Sequence, residues 1–211
     1  MTYPAFDAAF ARLPLVAILR GVRPDEVEAI GETLVEAGFS LIEVPMNSPE
    51  PLGSIGRLAR RLDGRAVVGA GTVLSPAVVD QVRDAGGALI ISPNMNPAVI
   101  GRAAALGLPA LPGVSTPTEA FAALDAGAAA LKLFPAEGGS PAILKAMRAV
   151  LPPGTRVLPV GGIAPDTMAS WRAASADGFG LGSALYKPGQ GAAEVGETAR
   201  RFVAAWRALP A

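Results

Sequence analysis

The chain has 211 residues, 51% of them hydrophobic, and its 18 Lys and Arg balance 18 Asp and Glu, so it can bury a large core but carries no net field to recruit nucleic acid or an anionic membrane. It contains no cysteine and no histidine, which removes disulfides, thiolate chemistry and cysteine-bound zinc, together with the commonest general base and transition-metal ligand. Any chemistry must use Lys, Glu, Asp, Arg, Tyr, Ser or Thr, or else an oxygen-only magnesium site.

Residues Met1 to Arg12 carry Asp7 and lack the basic leader, apolar core and small-residue cleavage site of a secretory signal. No apolar stretch reaches the roughly 20 residues of a membrane span, so a soluble, cytoplasmic protein is expected. After an amphipathic lead around Phe6 to Leu13, apolar strands, Gly/Pro punctuation and helical stretches repeat roughly every 25 residues. Strands are predicted over 15–20, 41–45, 66–69, 88–92, 110–112, 130–134, 156–160 and 178–181. Eight strands alternating with helices imply an α/β fold with a parallel sheet closed into a (β/α)8 TIM barrel, with residues 1–211 as a single domain. No Ser/Gly-rich or charged linker divides the chain. A doubly wound open sheet is the alternative, but the stretch after the first strand, Leu19-Arg20-Gly21-Val22-Arg23, has no nucleotide-loop pattern.

Helix starts are marked by prolines with a small polar or acidic neighbour: Pro24-Asp25-Glu26, Ser48-Pro49-Glu50, Ser75-Pro76, Asn96-Pro97, Thr116-Pro117-Thr118-Glu119, Ser140-Pro141 and Pro165-Asp166. Gly38, Gly86, Gly107 and Gly127 fall where helices should stop. These residues are assigned to the fold. Trp171 and Trp206, in helical stretches, are read as packing residues, and Tyr186 carries no assignment.

The most unusual stretch is Ala130-Leu131-Lys132-Leu133-Phe134-Pro135, which sets one lysine in an apolar strand. Burial favours the neutral amine and can lower a lysine pKa by up to about 3–5 units, making a nucleophile able to form a Schiff base with a ketone. The other reading is a strand-end lysine whose ammonium reaches solvent. Glu43, inside Leu41-Ile42-Glu43-Val44-Pro45, is as unusual: it is either half of a buried ion pair with Arg20 or Lys132, or a general acid/base whose pKa is raised by dry surroundings.

A barrel carries its chemistry at the C-terminal ends of its strands. Those ends are Arg20, Glu43, Thr72, Ser92-Pro93, Lys132 with Phe134, Gly161-Gly162 and Gly182-Ser183. The planar fork of Arg20 matches a carboxylate, although it could also turn outward. Thr72 follows small residues that let backbone approach a ligand, or simply turn the chain. Val160-Gly161-Gly162 and Gly180-Leu181-Gly182-Ser183 end the seventh and eighth strands, where glycine-rich loops expose N–H groups that can hold phosphate.

Taken in order, Ala17-Ile18-Leu19-Arg20-Gly21, Ile42-Glu43-Val44-Pro45, Gly69-Ala70-Gly71-Thr72-Val73-Leu74, Ile91-Ser92-Pro93-Asn94, Leu131-Lys132-Leu133-Phe134-Pro135, Val160-Gly161-Gly162-Ile163 and Gly180-Leu181-Gly182-Ser183 resemble the class I aldolases of 2-keto-3-deoxy-6-phospho sugar acids, from Leu15 to about Ala205. The resemblance implies a trimeric eight-stranded barrel that needs no cofactor or metal and acts on a small phosphorylated keto acid. It implies that Lys132 attacks the ketone and Glu43 moves protons, that Arg20 and Thr72 contact the keto-acid portion, and that Gly161, Gly162, Gly182 and Ser183 hold phosphate. Phe134 and Pro93 would wall the site. Gluconate-type members usually have threonine before the Gly-Gly pair and arginine after the glutamate strand. This chain has Val160 and Pro45-Met46-Asn47-Ser48-Pro49, departures that resemble the galactonate-type members. A valine cannot hydrogen-bond a C4 hydroxyl, which gives the changed preference a physical basis, with some leakage to the gluconate epimer expected. Against this stand a metal-dependent barrel enzyme, which would want the missing histidines, and a non-catalytic ligand-binding barrel.

Overall fold

The computed structural model describes residues 2–210. Helix α1 (Pro4–Arg12) leads into β1 (Leu15–Ile18), α2 (Val27–Ala37), β2 (Leu41–Pro45), α3 (Pro51–Arg61), β3 (Val67–Gly71), α4 (Pro76–Asp84) and β4 (Ile90–Ile91). The chain continues through α5 (Pro97–Ala105), β5 (Ala110–Leu111), β6 (Gly113–Val114), α6 (Pro117–Asp125), β7 (Leu131–Leu133), a 3-10 turn (Ala136–Gly138) and α7 (Pro141–Arg148). It ends with β8 (Val157–Pro159), α8 (Met168–Ala173), β9 (Phe179–Leu181) and α9 (Ala192–Arg207).

All strand pairs are parallel, in the order β5-β4-β3-β2-β1-β9 and β6-β7-β8. A bridge between Val160 and Gly180 joins β8 to β9, and β5 runs into β6 through Pro112, so the two sheets close into one α/β barrel. All eight predicted strands are present; the second keeps its predicted bounds, five are shorter than predicted, and two run past their predicted ends. The third runs on to Gly71 rather than ending at 69, and the fifth passes Pro112 to reach Val114 in two pieces. Pro112 has no N–H for the ladder, but its carbonyl accepts from Lys132 N at 2.9 Å, which holds the break in register.

Local signals set most helix ends. Ser75, Asn96, Thr116 and Ser140 are N-caps with proline next, and Thr116 with Glu119 forms a reciprocal capping box. The starts predicted at Pro24, Pro49 and Pro165 differ: the helices begin at Val27, Pro51 and Met168, after a turn. Gly38, Gly86, Gly107 and Gly127 all take positive φ at helix ends. Trp171 is buried, and Trp206 packs edge-on against Phe179, so both tryptophans are packing residues.

The strands are buried on both faces, as expected when helices ring a parallel barrel. Their outward side chains, such as Ala17, Ile42, Val68, Leu131 and Leu181, pack with the helices. Inward residues Val16, Leu41, Val67, Leu111 and Leu158 instead meet Phe6, Ala9 and Phe10 of α1, which plugs the N-terminal mouth of the barrel. Arg156 locks the plug by pairing with Asp7 and lying over the Phe10 ring at 4.8 Å. Phe6→Ala is expected to cost about 3–5 kcal/mol, read from the urea midpoint; a loss under about 1 kcal/mol would mean that α1 does not close the core.

Candidate active site

Side chains alternate along a strand, and that parity decides where the two charged strand residues go. Leu131 and Leu133 pack outward, so Lys132 points along the barrel interior; Ile42 and Val44 pack outward, so Glu43 does the same. Both reach one internal cavity, walled otherwise by apolar groups such as Ile18, Ile91, Leu158 and Val160. Lys132 is 7% exposed and Glu43 2%.

Both side chains are buried. Neither side chain belongs to an ion pair among the described residues. Burial pushes the Glu43 carboxyl from 4.5 up to about 6, against the opposing pull of Lys132 and Arg20. Burial likewise draws the Lys132 amine below its ordinary value, opposed by Glu43 and reinforced by Arg20. The Lys132 Nζ lies 4.6 Å from the centroid of Phe134, two residues on and on the same face. Glu43 Oε2 is buried with no hydrogen-bond partner and packs against Gly71. It fits only because residue 71 is glycine: a methyl group there would fall on that oxygen.

Above the cavity the C-terminal mouth opens into a cleft of about 530 Å³, within the range of small-ligand sites. Arg20, Lys132, Phe134, Val160, Gly161, Gly162, Gly182 and Ser183 all line it. Arg20 is steered by a 2.5 Å bond from Nη1 to Asn47 Oδ1. The amides of Gly162, Ser183 and Ala184 donate to no acceptor among the described residues, leaving N–H groups free at one end of the cleft, while the Gly161 amide belongs to the bridge with Gly180.

Thr72 and Pro93 lie on the loops after β3 and β4 but line neither cavity nor cleft. Thr72 has a positive φ of 57°, unusual for a β-branched residue, and turns the chain leaving β3. Ser92 donates its hydroxyl to the Val73 carbonyl at 2.7 Å and is a structural contact. Asn47, Glu137, Tyr186 and Lys187 were not assigned a role from the sequence. Glu137, Tyr186 and Lys187 line the cleft, and the Glu137 carboxylate rests against Gly161 and Gly162. Asn47 and Glu137 each follow a strand end on the chemistry side of the barrel, a positional signal that could have found them. Among the described residues no cluster of three or more acidic groups could hold a metal, and no helix is long and apolar enough to cross a membrane.

The chain is similar to known proteins along most of its length. A family model described as "Aldolase: KDPG and KHG aldolase" matches residues 6–195. The chain belongs to this aldolase family. It is 46% identical to the "Probable 2-dehydro-3-deoxy-6-phosphogalactonate aldolase" of Rhizobium meliloti (strain 1021) over 93% of this chain and 92% of that one. It is 35% identical to the "2-dehydro-3-deoxy-phosphogluconate aldolase" of Zymomonas mobilis subsp. mobilis (strain ATCC 31821 / ZM4 / CP4) over 76% of each. A solved structure described as "Native KDPGal structure" superposes with a TM-score of 0.92 at 45% identity, covering 93% of this chain and 95% of that one. As a member of an aldolase family the chain is a carbon–carbon lyase, with the cleft of this barrel as its candidate active site.

A carboxyl whose pKa is higher in the fold than in the unfolded chain binds its proton more tightly when folded. The stability this gives is therefore full below pH 4.5 and is lost as the pH rises through about 6. Relative to Glu43→Gln, the wild-type chain should lose about 2 kcal/mol between pH 4.5 and 7, measured by urea denaturation at both pH values. Parallel profiles for the two proteins would contradict a buried, proton-holding Glu43.

Proposed function

We propose that this chain cleaves 2-dehydro-3-deoxy-6-phosphogalactonate to pyruvate and D-glyceraldehyde 3-phosphate through a Schiff base on Lys132. One observation carries the reading: an amine whose pKa is lowered by burial shares an apolar cavity with a carboxyl pushed up to about 6 and holding an unpartnered oxygen.

The steps follow from those two groups. Neutral Lys132 Nζ adds to the C2 carbonyl, and loss of water leaves an iminium that draws electrons from the C3–C4 bond. Glu43 takes the C4 hydroxyl proton, through an intervening water, as that bond breaks and the aldehyde departs. The same carboxyl then returns the proton to C3 of the enamine, and hydrolysis of the iminium frees pyruvate and restores the amine. Arg20 meets the substrate carboxylate, while the loops of Gly161, Gly162, Gly182 and Ser183, with free amides at Gly162 and Ser183, receive the phosphate. Phe134 walls the reacting carbon beside Lys132. Thr72 and Pro93 are assigned supporting roles at the keto-acid end from their loops outside the cleft.

Residues 1–211 act as one catalytic unit without cofactor or metal, in the cytoplasm, as a homotrimer working in galactonate breakdown; family resemblance supports the assembly and the pathway. The galactonate epimer is favoured over the gluconate epimer because Val160, which lines both cavity and cleft, offers no hydroxyl to the C4 oxygen. The relatives named for the galactonate substrate are also the more similar.

Borohydride added with pyruvate should trap a covalent adduct on Lys132, located by peptide mass, in enzyme whose activity survives EDTA. Lys132→Ala should lose at least about 10³-fold in kcat, and retained turnover would refute the lysine's role. Side-by-side kinetics on the two C4 epimers should favour the galactonate form by about 10- to 100-fold in kcat/KM, with Val160→Thr narrowing the gap. Equal efficiency on both epimers would overturn the substrate assignment.

A further inference from the structure

Tyr186 stands outside the chemistry above, yet it lines the cleft and is 2% exposed. Its hydroxyl donates to Glu26 Oε1 at 3.0 Å, joining the loop after β9 to the loop after β1. Burial, and then the Glu26 carboxylate, push the phenol well above its ordinary pKa, so the proton stays on the tyrosine and the bond keeps one direction. Glu26 also accepts from Arg23 N at 3.1 Å, and its carboxylate lies 3.8 Å from the Arg23 guanidinium, which pins the turn that follows Arg20.

A second contact runs beside the first. Gly21 has a φ of 83°, and a methyl group built on it would fall 2.7 Å from Pro188 Cγ, so the two loops touch there. On its other flank the Arg20 loop is held by Asn47 and by Ser48, whose hydroxyl accepts from Gly21 N at 2.9 Å. Arg20 is thus framed from both sides, and the side facing the phosphate end depends on Tyr186 and Pro188.

We infer that Tyr186 is a positioning residue which, through Glu26, sets the spacing between the Gly182 and Ser183 loop that receives phosphate and the Arg20 loop that receives the keto-acid carboxylate. The inference rests on the aldolase reading. A substrate anionic at both ends can bring its reacting bond to Lys132 and Glu43 only if the two anion sites stand at the right separation, so binding at the phosphate is spent on alignment at the bond. An aldehyde without phosphate does not use that separation. Loss of the strut should therefore hurt the phosphorylated aldehyde selectively.

The test runs the reaction in the condensation direction, with pyruvate and either D-glyceraldehyde 3-phosphate or unphosphorylated D-glyceraldehyde. Tyr186→Phe should lower the kcat/KM preference for the phosphorylated aldehyde by about five- to tenfold, mainly through its KM, the size expected for one hydrogen bond. Glu26→Gln keeps Oε1 as an acceptor and should retain the preference to within about twofold. Glu26→Ala should behave like Tyr186→Phe, and the double variant should be no worse than either single one. A reduced folded fraction cannot imitate this result, because both aldehydes are turned over by the same sites. Equal losses for the two aldehydes, an unchanged preference, or single losses that multiply in the double variant would overturn the inference. If the wild-type enzyme traps no pyruvate on Lys132, the aldolase reading itself falls; normal trapping with an unchanged preference removes only the strut.

Discussion

Two ionisable side chains directed into the dry interior of a closed barrel are the constraint on which this structure turns. Placing an ammonium and a carboxylate among Ile18, Ile91, Leu158 and Val160 penalises the charged form of each, and neither is relieved by an ion pair. The penalty draws the amine below its ordinary pKa and pushes the carboxyl up to about 6, the kind of perturbation on which the proposed chemistry rests. A core built for stability alone would have apolar residues at both positions.

The barrel makes this arrangement possible by being open at one end only. Phe6 and Phe10 of α1 fill the N-terminal mouth, so the interior is reached from the C-terminal side, where the strand ends deliver Arg20, the glycine loops and Phe134 to one cleft. The two halves of the site differ in what they are made of. Around Lys132 and Glu43 the groups are side chains fixed by strand parity and close packing. At the end proposed to receive phosphate they are backbone amides of glycine-rich loops, where the lack of a side chain lets the Glu137 carboxylate rest against the loop.

Much of this was legible in the amino-acid order. The eightfold rhythm, the Pro-marked helix starts and the stopping glycines are local signals, and the barrel reproduces the rhythm, the glycines and four of the seven starts because each acts over one turn of chain. Where the signals missed, a tertiary contact had overridden them. The fifth strand outlasts Pro112 because its neighbour donates to the proline carbonyl, and Ser92, polar and at a strand end, is taken up by the Val73 carbonyl rather than by a ligand. Thr72 and Pro93 follow strand ends as expected, although neither lines the cleft.

Lys132 and Glu43 stand out in the sequence because a charge inside an apolar strand is costly wherever that strand ends up, so composition and period alone single them out. What no one-dimensional pattern contains is the separation between loops distant in the chain. That Asn47 grips Arg20, that Gly71 leaves space for the Glu43 carboxyl, and that Tyr186 reaches Glu26 all depend on how the ring closes. The sequence by itself determined the parallel barrel and singled out the two charged residues buried inside its strands. Only the tertiary structure decided which neighbours orient them, since those contacts join residues whose order along the chain says nothing of their distance in space.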